Sequence, residues 1–553
     1  MIAQFAELLP ASLPSRVHEA SLDVLEHVGL LVRNEKARDR FRRHGCKVAG
    51  DTQIVTFPRH VVEEFRAMIP RAFTFHARNE AFSRSIPADA LVVATASSAP
   101  DMLDPETGEE RRSRSDDIAR IAHLVNQLDG IDVFSISVLA DDAPPDQFSL
   151  SRFYPAVKNC WKPVRTSVVD EREARQIIKL GSEIAGSEKR FRERPFITFG
   201  YCAIVSPLTM DFDSTEMLMY YAENGLPAYG TLAPIGGISA PLKMSGMLVQ
   251  MNAEWHAAAV LAQMSKPGTE LIYNHLPVVG DMRTGAYAAG AVETGVVAMA
   301  LAQMGRHYGY PTGCYLGLTN AKISDAQAGY EKAMSPTLAA VAGIDFIVVG
   351  GLLDALMAFD FGQLVIDNEV SLMMKRFRQH LSFGDLDGVF EEIVAAGPAG
   401  MYVGNAETLK LMKSCVLLPG IADRERPEVW KSRGSRDAHA HAVETAKRLL
   451  CNPNTALIDP DADARVRAGF AGLVPGDVEV PEHWRSLIGE TRRSRGAGRQ
   501  EGVASRRKFN PTRCLLRQSI TAREGRAQTV YQVLPRNDTE RINRVHGARS
   551  QVL

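Results

Sequence analysis

Four tyrosines recur in consecutive strand-like runs of the sequence: Tyr201, Tyr229, Tyr273 and Tyr315. A quaternary ammonium group cannot donate a hydrogen bond, and aromatic faces attract such a cation through their ring quadrupoles. A cluster of these rings would therefore form a binding site for a methylated amine. The alternative interpretation is that they are core tyrosines whose hydroxyls find partners in the interior.

A second group of polar residues could move protons or orient a substrate. His275 ends the sixth strand-like run, and imidazole changes its protonation near neutral pH. Asp325 is placed to cap a helix, on which Gln327 and Glu331 lie four residues apart on one face. We predict His275, Gln327 and Glu331 as catalytic residues, and Asn320 and Asp325 as substrate contacts. A buried strand-end histidine and a capped, solvated helix would explain the same residues without function.

Two glycine pairs, Gly236-Gly237 and Gly350-Gly351, follow strand-like runs. Glycine lets the backbone approach a bulky ligand closely, so we predict both pairs as cofactor-binding positions. The second pair precedes a helix start, where a phosphate could also bind. Tight turns are the alternative explanation for all four glycines.

Eight apolar runs alternate with helix-length amphipathic segments between Leu91 and Val349. They begin at Leu91, Asp132, Val164, Phe196, Ala228, Glu270, Gly313 and Asp345. This alternation is typical of parallel βα units, and eight strands close a (β/α)8 TIM barrel with its site at the carboxyl ends of the strands. We therefore predict an α/β fold with such a barrel over residues 91–382.

An open, doubly wound sheet would show the same alternation. Such a sheet usually carries a phosphate-binding glycine turn after its first strand. Here the first run ends in Thr95-Ala96-Ser97-Ser98, which contains no glycine. The sequence therefore favours the barrel over the open sheet.

Other segments flank the predicted barrel. Residues 1–90 predict a small α+β extension, residues 383–490 a helical C-terminal region, and residues 491–553 a disordered basic tail. Within the extension, the hydrophobic pattern predicts a helix over Arg16–Val32 and a hairpin around Gly50-Asp51. Later patterns predict one helix over Ala286–Gly305 and one long helix over residues 356–377. The remaining predicted helices cover residues 36–44, 58–68, 386–396, 405–412 and 439–450, and a strand covers residues 73–77.

Composition excludes several classes of protein. A hydrophobic share of 45% and a charged share of 23% are globular values. No stretch is long and apolar enough for a membrane span, and the start lacks a secretory pattern, so we expect a cytoplasmic protein with no membrane partner. Residues 491–553 contain 15 Lys and Arg against four Asp and Glu, but the basic stretch RRSRGAGRQEGVASRRK has none of the interleaved aromatic residues typical of a nucleic-acid surface, so we expect no nucleic-acid partner.

Metal and nucleotide motifs are not found. The seven cysteines form no CxxC pair, and the sequence has no HExxH, no GxGxxG opening a βαβ unit and no GxxxxGK[ST] loop. The closely spaced Asp437, His439 and His441 would not face one another on a helix. We therefore expect no directly bound metal and no nicotinamide cofactor.

Several long strings resemble the trimethylamine methyltransferase family, including its relatives that act on quaternary amines. These strings are VHEASLDVLEHVGLLV, YGTLAPIGGISAP, DAQAGYEKA and LVIDNEVSLMMKRF, and the resemblance runs in order from Val17 to Thr408. It implies a TIM barrel that transfers a methyl group from a methylated amine to the cobalt of a corrinoid carried by a separate protein. The whole chain has a net charge of −1, so with 15 basic and four acidic residues in the tail, residues 1–490 carry −12. This acidic body and the tyrosines would favour a cationic substrate, and the Ala/Gly-rich helix faces favour a homo-oligomer.

Two departures from the family pattern bear on the substrate. The trimethylamine enzymes use pyrrolysine to capture the amine, whereas this chain contains only standard residues, so a quaternary amine such as glycine betaine fits better than trimethylamine. Met401 and Glu407 also stand where the family resemblance leads us to expect histidines. Two alternatives remain open: a barrel lyase with a phosphate at Gly350-Gly351, disfavoured by the lack of lysine in the eight runs, and a non-catalytic quaternary-amine binding protein.

Overall fold

The computed structural model describes residues 5–379, 386–485, 514–523 and 526–535. The chain divides into two compact units. The first contains Met1–Leu381 and Leu417–Arg485, and the second contains Ser382–Val416 and Ser486–Leu553. The four-part domain division remains a prediction.

The N-terminal segment forms the mixture of helices and short strands that its pattern predicts. Its helices are Leu13–Asp23, the π-helical turn Val24–Val28, Glu35–Arg43 and Arg59–Arg66, and its strands are Leu30–Val32, Lys47–Val48, Ile54–Thr56, Phe73–Phe75 and Arg84–Ile86. The predicted hairpin is confirmed, since Lys47–Val48 pairs antiparallel with Ile54–Thr56. The first helix was predicted too long. The helical segment ends before Gly29. This residue has a φ of +74°, and it lies so close to the Val55 carbonyl that a side chain would not fit.

Eight strands and eight helices alternate through the rest of the first unit. The strands are β1 Val92–Ala94, β2 Phe134–Ser135, β3 Val164–Ser167, β4 Ile197–Tyr201, β5 Ala228–Gly230, β6 Tyr273–His275, β7 Thr312–Tyr315 and β8 Phe346–Val348. The helices that follow them are α1 Ser115–Asn126, α2 Phe148–Asn159, α3 Glu171–Ala185, α4 Asp213–Asn224, α5 Met244–Ser265, α6 Val292–Tyr308, α7 Ala326–Val341 and α8 Phe361–Arg378. Each predicted run thus contains or overlaps a strand, which confirms the predicted α/β alternation.

The eight strands form two parallel four-stranded sheets. One has the order β5-β4-β3-β2 and the other β6-β7-β8-β1. In the first sheet Val164 pairs with Ile197, and in the second Tyr273 pairs with Thr312. Single parallel bridges also join Ala94 to Val133 and Leu232 to His275, at the outer edges of the two sheets. The strands are buried on both faces, as expected of parallel strands covered by helices.

The sixth predicted helix begins later than its pattern indicates. Residues Ala286–Ala288 form a strand that pairs antiparallel with Val278–Asp281, and α6 starts only at Val292. Gly290 lies between them against the Glu331 carboxyl group, where an added Cβ would come within 2.2 Å of the carboxyl carbon. Tertiary contacts at this loop therefore override the local helical pattern.

The long helix predicted over residues 356–377 is also shorter in the structure. Asp354–Leu356 forms a 3-10 turn, Ala358–Phe359 a strand, and α8 begins after Asp360, whose carboxylate accepts a hydrogen bond from the backbone of Gln363. An N-cap aspartate at this position ends the extended segment and starts the helix.

The remaining elements lie outside the eight strand–helix pairs. The first unit also contains helices Glu188–Glu193, Pro427–Ser432, Ala438–Leu450 and Pro460–Gly469, the 3-10 turns Glu80–Phe82, Pro145–Gln147 and Glu482–Arg485, and strands Asp101–Leu103, Glu110–Arg112, Ile204–Val205, Thr209–Met210, Ile235–Gly236 and Leu352–Leu353. The second unit contains helices Val389–Ala396 and Ala406–Leu411, which overlap two predicted helices. No helix in the described parts of the chain is both long and apolar enough to cross a bilayer.

The basic tail at residues 491–553 is described only in part. Cys514–Arg523 and Arg526–Pro535 form an antiparallel pair of strands, where the sequence predicts disorder. The rest of the tail lies outside the described residues.

Candidate functional site

A cavity of about 460 Å³ opens at the carboxyl ends of the parallel strands. Ligands of parallel α/β folds bind at this edge, and the volume is in the range of small-molecule sites. The polar residues that line it are Ser97, Ser98, Arg165, Ser167, Tyr201, Cys202, Asp211, Asp213, Ser214, Thr231 and Tyr315. Strands β3, β4 and β7, the loops after β1, β4 and β5, and the start of α4 contribute these residues, so the cavity draws on both parallel sheets.

The charged group most deeply placed in the cavity is Arg165, on β3. Its guanidinium stacks 4.4 Å from the ring centre of Tyr229 and donates a long 3.4 Å hydrogen bond to Ser97 Oγ. It occupies the space a side chain would need at Gly200, where an added Cβ would lie 2.5 Å from Arg165 Nη2. Burial alone would lower the pKa of Arg165, but Tyr229, Tyr315 and Cys202 raise it above its ordinary value. The guanidinium therefore stays positively charged.

Tyr315 and Tyr201 supply aromatic faces to the same cavity. The Tyr315 hydroxyl donates to the Ser97 carbonyl at 3.0 Å and accepts from the Ser97 backbone N–H at 2.9 Å. The Tyr201 ring lies over Gly230, where an added Cβ would approach it to 2.4 Å. Both rings are therefore held in place by the backbone of neighbouring strands.

The other two predicted tyrosines lie elsewhere. Tyr229 is fully buried beneath Arg165, with its ring edge-to-face against Phe73 and Phe75 at 6.2 and 6.0 Å. Tyr273 points to the helix side of β6, where its hydroxyl donates to Asn252 Oδ1 at 2.9 Å. The structure thus brings two of the four tyrosines to the cavity, whereas Tyr229 supports Arg165 and Tyr273 packs against α5.

His275 does not face the cavity. It lies on the same side of β6 as Tyr273, with 4.3 Å between the two ring centres, and it is fully buried. Burial, followed by the charge of His256, lowers the pKa of His275 to about 3, so the ring is neutral. Asn274, between the two rings in sequence, points the other way and donates to the Gly230 carbonyl at 3.0 Å. The alternation of side chains along the strand therefore separates His275 from the substrate side.

Asn320, Gln327 and Glu331 do come together. The Glu331 carboxylate accepts hydrogen bonds from Thr319 Oγ1 at 2.6 Å, the Asn320 backbone at 2.9 Å and Gln327 Nε2 at 3.0 Å. Asn320 Nδ2 in turn donates to the Tyr287 carbonyl at 2.9 Å. Asp325 caps α7 by accepting from the backbones of Gln327 and Ala328. The network holds the loop that carries Tyr287.

Tyr287 connects that network to the cavity. Burial, then the neighbouring Tyr315, raises the pKa of Tyr287 above its ordinary range. Its buried hydroxyl has no hydrogen-bond partner in the described part of the chain. Asn320, Gln327 and Glu331 are therefore placed to position Tyr287 beside the cavity tyrosine Tyr315.

Of the two glycine pairs, Gly236 ends the strand Ile235–Gly236, and Gly237 begins the turn after it. Gly237 has a φ of +86° and lies against Met282, whose Cε would be 2.8 Å from an added Cβ. Gly350 and Gly351 have φ values of +110° and +81°. The Gly351 N–H donates to Asp367 Oδ2 at 2.7 Å, which leaves that donor engaged rather than free for a phosphate.

Several residues that line this cavity were missed by reasoning from the sequence: Ser97, Arg165, Cys202, Asp211 and Asp213. One of them carried a usable signal. Arg165 is a charged residue inside an otherwise apolar strand run, and a charge in such a position is expensive to bury without a purpose. The loop residues carried no comparable signal.

Comparison with known proteins gives one family match and several named relatives. The model of the family described as trimethylamine methyltransferase (MTTB) matches residues 3–471. A glycine betaine methyltransferase of Desulfitobacterium hafniense is 29% identical over 460 residues, covering 82% of this chain and 95% of that protein. A trimethylamine methyltransferase MttB of Methanosarcina thermophila is 28% identical over 450 residues, covering 80% and 93%. Because the family match spans most of its length, this chain belongs to the trimethylamine methyltransferase family.

Proposed function

We propose that this protein transfers a methyl group from a methylated amine, a quaternary amine such as glycine betaine, to the cobalt of a corrinoid carried by a partner protein. Family membership supports the reaction class, and one relative is named for glycine betaine. The observation that carries the proposal is the cavity at the strand ends, which is lined by Tyr201 and Tyr315 together with Asp211 and Asp213. Aromatic faces and carboxylates together favour a methylated ammonium.

We further propose that the eight strands close into a (β/α)8 barrel. The two bridges Ala94–Val133 and Leu232–His275 support closure, because each joins an edge of one four-stranded sheet to an edge of the other. The alternation of each strand with a helix supports it as well. A cytoplasmic location and self-association remain predictions.

Methyl transfer from a quaternary amine requires little proton transfer by the protein. In a quaternary amine the nitrogen already carries a positive charge, so the N–CH3 bond breaks with its electron pair remaining on nitrogen, and a neutral tertiary amine leaves. The corrinoid supplies the cobalt nucleophile that takes the methyl group. The cavity's task is to hold the ammonium against Tyr201 and Tyr315, with one methyl group directed outward at attack distance.

The surface beside the cavity loops fits an approaching flat macrocycle. Ile238, Leu242 and Met282, in the loops after β5 and β6, are each half exposed. Ile238 and Met282 pack together over Gly280, where an added Cβ would meet both within 2.8 Å. We propose that these apolar side chains, with the turn at Gly236-Gly237, receive the corrinoid face of the partner. Gly350-Gly351 is buried and is left out of this surface.

A spectroscopic assay tests the proposal. The purified protein is mixed with cob(I)alamin and glycine betaine, choline or trimethylamine, and then with the cognate corrinoid protein. We expect methylcobalamin to appear with a quaternary amine, together with the demethylated tertiary amine. If no methylated amine yields methylcobalamin under either condition, while betaine still binds, the protein is a binding protein and the proposed function is wrong.

A further inference from the structure

The floor of the cavity carries a positive charge that no side chain neutralises within the described residues. Arg165 is 7% exposed and takes part in no ion pair there, although it lines the cavity. Its Nε–H has no hydrogen-bond partner in the same part of the chain. A buried charge without a counter-charge costs several kcal/mol, so this arrangement calls for an anion.

A second guanidinium lies close behind the first. Arg152, on α2, is 4% exposed and donates to Ser98 Oγ at 3.2 Å and to Thr166 Oγ1 at 2.6 Å. Burial lowers the pKa of Arg152 to about 10, Glu173 opposes that decrease, and the charge of Arg165 adds to it. Ser98 itself lines the cavity, so the two like charges act on the same space. An anion bound there would relieve their repulsion.

The other charged residues that line the cavity are negative, and they are more exposed than Arg165. Asp213 is exposed at the start of α4, and Asp211 is half-buried just before it. Both line the cavity, and Asp211 Oδ2 accepts a hydrogen bond from the Ser214 backbone. The field therefore runs from a positive floor to a negative rim, which would align a ligand that carries both charges.

We infer that Arg165 binds the carboxylate of a zwitterionic methylated amine, whose ammonium then lies toward Asp211 and Asp213. The inference rests on the proposed function and narrows its substrates to quaternary amines with a carboxylate. A planar guanidinium matches a carboxylate with two parallel hydrogen bonds, and the Ser97 and Ser167 hydroxyls are the neighbouring donors. This orientation leaves the N-methyl groups at the open end, where methyl transfer must occur.

Calorimetric titration of the unmodified protein tests the inference without any substitution. Glycine betaine and choline share the trimethylammonium group, but choline has a neutral hydroxymethyl group in place of the carboxylate. We expect glycine betaine to bind at least about thirtyfold more tightly than choline. This ratio corresponds to the smallest loss of binding free energy that is usual when one partner of a buried charge pair is removed. Equal or tighter binding of choline would overturn the inference.

Substitution of Arg165 then assigns the effect to this side chain. In Arg165→Lys the charge stays but the planar pair of donors is lost, so betaine affinity should fall about tenfold or more while choline affinity changes little. Arg306→Lys is the matched control, because Arg306 stacks on Phe5 at 5.3 Å outside the cavity, and it should leave both affinities unchanged. A folded Arg165→Lys protein with unaltered betaine affinity would contradict the assignment.

The methyl-transfer assay separates this inference from the proposed function. Tight betaine binding without methyl transfer would refute the proposed function and leave the carboxylate subsite standing. Faster demethylation of choline or tetramethylammonium than of glycine betaine would refute the subsite and leave the methyltransferase function standing.

Discussion

Strands β3 and β6 both bring polar side chains to the carboxyl edge of the parallel sheets, yet they serve different purposes. On β3, Arg165 points inward and lines the cavity. On β6, Tyr273 and His275 point outward into the helix layer, and the inward residue Asn274 bonds to β5. A shift of one residue in register would exchange these faces. The comparison shows that proximity to a strand end does not make a residue part of the site.

The substitution Arg165→Met, on β3, is expected to have the largest effect on activity. Losing the guanidinium should reduce kcat/KM for glycine betaine by at least about a hundredfold, since a charged substrate group is left without its partner. The free energy of unfolding should stay equal or rise, because the substitution also removes a buried charge that has no ion pair among the described residues. Steady-state kinetics and urea unfolding measure the two quantities. If the variant loses stability but keeps its activity, Arg165 stabilises the fold and does not bind the substrate.

The next largest effect is expected from Glu331→Ala, which acts through Tyr287. Three donors lose their acceptor, which should lower the free energy of unfolding by about 2 kcal/mol. The loosened Tyr287 loop should lower kcat/KM about tenfold. Asp459→Ala provides the control, since it removes only the cap of helix Pro460–Gly469 and should cost about 1 kcal/mol without changing kinetics. Unchanged kinetics for Glu331→Ala would limit its network to a structural role.

The sequence predicted the parallel α/β alternation well because apolar runs and amphipathic segments differ in period along the chain. It did not predict which face of a strand meets the cavity, since β3 and β6 are buried on both faces and their pattern does not alternate. Gln327 and Glu331 were predicted to share one helix face, and they do, because helical spacing is local. Tyr287 was missed because its loop was taken for a helix, and Gly290 packing against Glu331 is a long-range contact.

A pair of single-hydroxyl deletions compares the two faces directly. Tyr315→Phe removes the bonds to the Ser97 backbone at the cavity and should lower kcat/KM about fivefold to tenfold. Tyr273→Phe removes the bond to Asn252 in the helix layer and should lower the free energy of unfolding by about 1 kcal/mol with unchanged kinetics. Both variants are measured by the methyl-transfer assay and by urea unfolding. Equal kinetic effects in the two variants would mean that Tyr273 does contact the substrate.

Substitution of His275 is expected to have the smallest effect on activity. The contribution of this residue is instead seen in the pH dependence of the free energy of unfolding. Its pKa of about 3 in the folded state lies below the ordinary value near 6.5 of an unfolded chain, so the unfolded state binds more protons between these values. Stability from this residue is therefore complete above about pH 6.5 and is lost as the pH falls, by about 1.4 kcal/mol per pH unit.

His275→Leu should remove that acid sensitivity while leaving methyl transfer at neutral pH unchanged. Relative to the unmodified protein, the free energy of unfolding of the variant should gain about 2 kcal/mol between about pH 7.5 and about pH 5. His256, also with a pKa of about 3, keeps its own share of the acid sensitivity in both proteins and so does not enter the difference. If the variant instead loses methyl transfer at neutral pH with its stability intact, His275 acts on the substrate, and the division between the two strand faces is wrong.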